Sequence, residues 1–420
     1  AGLGAMILFG GNQHTMIVVA AAIFGAYMAI NIGANDVANN MGPAVGANAL
    51  TMGGAIAIAA IFESLGALVA GGDVVTTISK GIISQESVAQ TSTFIWAMMA
   101  ALISSALWVN LATYLGAPVS TTHSVVGGVM GAGIAAAGFG AVNWATMSTI
   151  AASWVISPLL GGIIAAAFLA FIKAKVIYVD DKIAAARRWV PVLIAIMAGA
   201  FAAYLSLKGL KHLVKITMGH ALLIGVGIGF AAWLLSRPMI ARQSRGLENR
   251  NKSLKVLFGL PLVISAALLS FAHGANDVAN AVGPLAAIVH AAETGGEFAG
   301  KVHIPLWVMV IGAFGISVGL VLFGPKLIRM VGSQITKLNP MRAYCVALSA
   351  AITVIVASWL GLPVSSTHIA VGGVFGVGFF REWHAERRAR QFAGQRGPGK
   401  TRAPEERKRR KLVRRTHFMT

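Results

Sequence analysis

Apolar residues run along this chain in long blocks, not at alternating or simple helical spacing. Thr93–Leu115 and Ala145–Ile172 are nearly continuous. Each would cross a hydrocarbon layer about 30 Å thick as one helix. Met16–Ile32, Gly46–Ala70, Trp189–Leu207, Ile216–Leu235, Ile304–Phe323 and Tyr344–Leu360 read as further spans. The pattern predicts an all-α polytopic membrane protein with about 11–12 membrane segments.

The polar interruptions are themselves patterned. GANDVANNMGPAVGANAL, from Gly33, returns as GANDVANAVGPLAAIV, from Gly274. GAPVSTTHSVVGGVMGAG, from Gly116, returns as GLPVSSTHIAVGGVFGVG, from Gly361. The first pair is 241 residues apart and the second 245, in the same order, so the chain is internally duplicated. We expect a first repeat over 1–172, a central linker with two additional membrane helices and basic loops over 173–255, and a second repeat over 256–420. Gly42-Pro43 and Gly116-Ala117-Pro118 predict helix breaks, giving broken or re-entrant helices. The helix after VSTTH carries Gly127, Gly128, Gly131 and Gly133, which suits close packing in lipid. A loop is expected around Asp73, Lys80 and Glu86. LVRRTHFMT resembles the start of a segment that the first half completes, so a last membrane helix is expected to be missing after Thr420.

Composition supports the membrane assignment. Residues are 56% hydrophobic and only 11% charged, about half the charged share of a soluble domain. The single Cys345 allows no intrachain disulfide and no cysteine-based zinc site. No cleavable signal is expected at the N-terminus. A net charge of +20 would suggest nucleic acid in a soluble protein. Here it marks cytoplasmic loops, and no nucleic-acid partner is expected. Lys173–Arg188, Arg237–Lys255 and Arg381–Arg415 are placed in the cytoplasm, and the last holds fourteen Lys or Arg against four Glu. Its counterpart in the first half, Gly133–Asn143, has no Lys or Arg. Equivalent loops thus fall on opposite sides, which predicts two inverted-topology repeats with a midplane site between them. KGLKHLVK, from Lys208, then lies outside as a mild exception.

Asp36 and Asp277 are matching carboxylates at membrane depth, where an unpaired charge is costly. Cation coordination would relieve that cost. Asn35, Asn39, Asn276 and Asn280 stand within a helical turn to supply further oxygens. The plainer alternative is capping of a broken helix. Ser120, Thr121, Thr122 and Ser365, Ser366, Thr367 follow a Pro-Val break at a predicted helix start. Free N–H groups and hydroxyls there make an anion site without fixed positive charge; plain N-capping is the alternative. An anion beside two acids calls for bridging cations, hence symport with Na⁺ or H⁺. His123 and His368 are candidates for a proton or hydrogen-bond role. Glu63, mid-span, is a candidate for a cation or proton.

With GANDVANN and PVSTTH each present twice, the chain resembles the PiT inorganic phosphate transporter family. The resemblance implies a secondary transporter moving phosphate with Na⁺ or H⁺ as coupling ion and no other cofactor. It implies that the Asp and Asn residues serve cation and phosphate binding and that both Ser/Thr clusters contact phosphate. It also implies a homodimer among membrane lipids, in a bacterial inner (plasma) membrane. Glu63 matches the family's IFE glutamate, whereas Ala347 stands where members often carry a second glutamate. Sulfate or a related oxyanion is the alternative cargo. Phosphate can donate a hydrogen bond to a carboxylate and sulfate cannot, so the paired acids favour phosphate. An intramembrane aspartyl protease built on Asp36 and Asp277 is the distant alternative, and it leaves the duplicated Ser/Thr helix starts unexplained.

Overall fold

A computed structural model describes residues 13–83, 88, 90–208, 217–294, 304–330 and 338–395. The described residues are nearly all helical, with one isolated antiparallel bridge between Ile83 and Val142. In order the helices are α1 (Gln13–Gly46), α2 (Met52–Ala70), α3 (Gly72–Thr76), α4 (Thr91–Leu115), α5 (Thr121–Ala137), α6 (Trp144–Ile172) and α7 (Lys182–Lys208). They continue as α8 (Met218–Gln243), α9 (Asn251–Leu257), α10 (Gly259–Thr294), α11 (Leu306–Met330), α12 (Pro340–Trp359) and α13 (Ser366–Gln395). Nine of the described helices are long and apolar enough to cross a membrane. The protein is a multi-pass, all-α membrane protein. Among the described residues, 378–395 fall in a unit separate from the rest.

Both motif helices lie at the centre. The apolar window of α10 is 89% buried, against 17% for α8, whose Leu222, Leu223, Val226 and Phe230 point outward as a lipid-facing surface does. Helices α1 and α11 cross backbone to backbone: a Cβ on Gly33 would lie 1.9 Å from the Ile316 carbonyl oxygen, and one on Gly319 1.9 Å from that of Ile30. Helices α2 and α10 repeat this crossing, with Gly274 against Glu63 and Gly66 against Phe271. Only glycine permits such contact, which replaces the missing hydrophobic drive between helices in lipid.

Several expected boundaries move. Gly42-Pro43 does not break the chain: α1 runs to Gly46 with Pro43 inside it, and α10 likewise carries Pro284. Proline removes one N–H and crowds the carbonyl four residues back. In these helices the surrounding burial outweighs that cost, as neighbours commonly do in membranes. The expected loop at Asp73 and Lys80 is helical, as α3 followed by a π-turn over Thr77–Gly81. Glu86 lies outside the described residues. The basic stretches are largely helix ends. Lys173–Ile177 is a π-turn, α7 begins at Lys182, and α8 continues to Gln243. Their charges find partners: Arg188 stacks over Trp189, and the Arg187 Nε donates to Ser244 Oγ, at the end of α8, at 2.6 Å. Arg381–Gln395 is also helical, with Arg387 over Trp383. The rest of that basic segment, residues 209–215 of KGLKHLVK and the LVRRTHFMT segment lie outside the described residues.

The breaks that do form are twins. Helices α4 and α12 end on Gly116 (φ 75°) and Gly361 (φ 69°), the left-handed conformation that glycine reaches without strain. Ala117 N–H donates to Ala112 O at 2.8 Å and Leu362 N–H to Ala357 O at 2.9 Å, closing both helices in the same way. Pro118 and Pro363 follow, so neither helix can resume at once. Ser120 then accepts from His123 N–H at 3.1 Å and Ser365 from His368 N–H at 3.2 Å. The side chains thereby start α5 and α13 as N-caps.

Candidate functional site

Asn35 and Asn276 hold these breaks in place. The Asn35 Nδ2 donates to Thr113 Oγ1 at 2.9 Å and to Ala117 O at 3.1 Å, while its Oδ1 accepts from Val119 N–H at 3.0 Å. The Asn276 Nδ2 donates to Ser358 Oγ and Leu362 O, each at 3.0 Å, and its Oδ1 accepts from Val364 N–H at 3.2 Å. Both were expected among the cation ligands. Their amides are instead engaged in pinning the irregular backbone, whose polar groups need partners at membrane depth.

One residue on, the acids meet the helix starts. Thr121 Oγ1 donates to Asp36 Oδ2 at 2.8 Å, and Ser366 Oγ donates to Asp277 Oδ2 at 3.3 Å. The amides of the same motif cross to the other half. Asn39 Nδ2 donates to Thr367 Oγ1 at 2.8 Å, and Asn280 Nδ2 to Thr122 Oγ1 at 3.1 Å. Thr122 Oγ1 in turn donates to Val364 O at 2.9 Å, and Thr367 Oγ1 lies 3.3 Å from Asp36 Oδ1 and 3.4 Å from Val119 O. The two Ser/Thr helix starts therefore face each other across the halves, with one acid behind each. Asp36, Asn39, Asp277, Asn280, Thr121, Thr122, Ser365, Ser366 and Thr367 are all buried. His123 and His368 lie beside this cluster with ring centroids 4.6 Å apart.

The duplication hides one member of the site. His273, fully buried, lies one turn before Asp277. Its Nε2 is 3.0 Å from Asp277 Oδ2 and 3.5 Å from Asp36 Oδ2, and its Nδ1 is 3.3 Å from Glu63 Oε2. One imidazole thus links the paired acids to Glu63. Asn40 also belongs here, donating from Nδ2 to Glu63 Oε1 at 2.9 Å. The signal for His273 was its spacing, since i and i+4 share a helix face. The first half has Ile32 at the matching position, so comparing the repeats drew attention away from it.

Three buried oxygens around this cluster accept no hydrogen bond, Asp277 Oδ1, Asn280 Oδ1 and Asn40 Oδ1, and a fourth, Glu63 Oε2, has only His273 Nδ1 beside it at 3.3 Å. Buried polar atoms are rarely left so. All four are acceptors, and acceptor oxygens are the donor set that hard cations take. The protonated oxygens of an anion could also serve them. The residues present thus fit a cation beside an oxyanion.

The sequence signature of the phosphate transporter family matches residues 32–419. A Helicobacter pylori (strain J99) protein named "Putative phosphate permease" is 53% identical over 395 residues, covering 94% of this chain and 74% of that one. The Arabidopsis thaliana "Inorganic phosphate transporter 2-1, chloroplastic" is 36% identical over 391 residues, 87% of this chain and 66% of that one. Among solved structures, one titled "The sodium-dependent phosphate transporter" superposes with a TM-score of 0.83 at 38% identity, covering 87% of this chain and 90% of that one. These relatives are permeases and transporters, which removes the protease alternative. A duplicated pair of motifs, facing helix starts backed by carboxylates, and matches along nearly the whole chain lead to one assignment: this protein belongs to the phosphate transporter family.

Proposed function

We propose that this transporter carries inorganic phosphate by symport, with Na⁺ as the coupling ion, through alternating access around the site between the two halves. The carrying observation is the set of three unpartnered buried oxygens on Asp277, Asn280 and Asn40, next to the Glu63 carboxylate and two helix starts. Cations enter first and satisfy the oxygens of Asp36, Asp277, Glu63 and the amides. Phosphate then binds between Ser120–Thr122 and Ser365–Thr367, where helix N–H groups and hydroxyls receive its charge. A protonated phosphate oxygen donates to the Asp36 or Asp277 carboxylate and replaces the Thr121 or Ser366 hydroxyl there. Sulfate has no such proton, so it binds less well.

The matched pins, caps and crossed amide–hydroxyl pairs support reading the halves as inverted repeats, one moving against the other once charges are neutralised. The resemblance to a protein titled as sodium-dependent supports Na⁺ over H⁺. We place the protein in a bacterial inner membrane, among lipids, as a homodimer. Uptake of radiolabelled phosphate into proteoliposomes tests the reading: an inward Na⁺ gradient should drive it and a proton gradient alone should not. Uptake driven equally by a proton gradient in Na⁺-free buffer would overturn the choice of ion.

A further inference from the structure

We propose that His123 and His368 form a bis-imidazole site for a divalent transition-metal ion such as Zn²⁺, Ni²⁺ or Cu²⁺, tying the start of α5 to the start of α13. Each histidine is the third residue of its helix and is fixed through its own N–H by the cap, Ser120 or Ser365. Those matching caps bring the two rings to 4.6 Å between centroids, at 72° to one another. A zinc–nitrogen bond is about 2.0–2.1 Å, so two ring nitrogens on one ion stand at most about 4 Å apart. A centroid spacing of 4.6 Å is compatible with that separation.

Three further features suit an ion. The His123 Nε2 is buried and makes no hydrogen bond, so coordination there displaces no existing partner. The His123 ring lies 3.8 Å from that of Trp154, whose Nε1 donates to Pro363 O at 3.1 Å. That indole braces the pair against the second break. His368 is exposed, which leaves room around its ring for further ligands to complete the coordination. Imidazole nitrogen selects zinc, nickel and copper over Na⁺, Mg²⁺ and Ca²⁺, which prefer oxygen. The pair shares no residue with the buried Asp36–His273–Asp277 group, whose ligand atoms also lie within reach of one ion.

The two histidines come from different halves, so one ion on both resists their separation. Resting on the alternating-access reading above, metal binding slows transport. The test titrates the purified full chain with NiCl₂ by calorimetry and records the Cu²⁺ electron paramagnetic resonance spectrum. His123→Gln and His368→Gln should each weaken binding by at least about tenfold and remove the spectral signature of a second nitrogen ligand. His220→Gln, at the start of α8, should change neither. Since His368 is exposed, His368→Gln decides alone if His123→Gln fails to fold. Wild-type affinity in the folded His368→Gln variant overturns the site. So does binding lost only in Asp277→Asn, which would place the ion in the buried group.

In proteoliposomes loaded with Ni²⁺ and washed, wild-type uptake should fall and recover with EDTA. The His368→Gln variant, compared with its own metal-free rate, should need at least about tenfold more Ni²⁺ for the same fractional loss. Binding that requires both histidines but leaves uptake unchanged would uphold the metal site and refute the relative motion.

Discussion

His273 stands between three carboxylates, and this position makes it the residue whose removal is most informative. Its nitrogens lie 3.0–3.5 Å from Asp277, Asp36 and Glu63. With the ring gone, three buried acids face one another, and at short range in a poorly screened interior their repulsion is large. His273→Ala should therefore lower thermal stability more in Na⁺-free buffer than in Na⁺, because the cation replaces the lost partner. Equal losses in both buffers would show that no cation reaches these acids. Asp277→Asn preserves size and removes the charge. Loss of one partner from a buried charged interaction costs about 2–5 kcal/mol, so the apparent Na⁺ affinity, read from the Na⁺ dependence of the melting temperature in detergent, should fall roughly 30-fold or more. An unchanged Na⁺ dependence would remove Asp277 from the cation site.

At the scale of elements, the local chemistry of the breaks was legible in the sequence. Gly, then Pro, then a cluster of hydroxyls is enough to end one helix and cap the next, and both copies do so at Gly116–Ser120 and Gly361–Ser365. The same local rule misplaced a break at Gly42-Pro43, because whether a proline ends a helix depends on what surrounds it. Pro284 lies in a segment of α10 whose residues are all buried from Ser265 to Val289. The Asp and Asn residues were visible, but not the division of labour among them, which depends on partners about 80 residues away at the breaks. Asn35→Ala tests that division. It leaves Val119 N–H and Ala117 O without their partner, and should lower stability by about 1–3 kcal/mol, read by thermal denaturation in detergent. An unchanged melting temperature would contradict the pinning role. Crossing geometry gives a paired test. A Cβ on Gly274 would meet the Glu63 carbonyl oxygen at 2.1 Å, whereas one on Gly127 meets nothing within 4 Å. Gly274→Ala should cost about 1–3 kcal/mol or more and move Glu63 away from His273, with loss of uptake. Gly127→Ala should leave both unchanged.

Over the whole molecule, the account requires that two similar halves share one site and that neither half binds alone. The crossed pairs Asn39–Thr367 and Asn280–Thr122 express this most directly, since each motif reaches into the other half. Duplication was readable because it needs only the sequence. The facing of the two helix starts was an expectation from the duplication, whereas the crossing of each amide to a hydroxyl of the other half depends on packing and was not readable. The central claim is ion-coupled phosphate transport at this shared site. The most direct measurement is radiolabelled phosphate uptake into proteoliposomes under an imposed Na⁺ gradient, with sulfate as competitor, for the wild type, Asp36→Asn and Asp277→Asn. The wild type should accumulate phosphate under the Na⁺ gradient with little inhibition by sulfate, and neither variant should accumulate it. Wild-type accumulation by both variants, or displacement of phosphate by equimolar sulfate, would contradict the central claim.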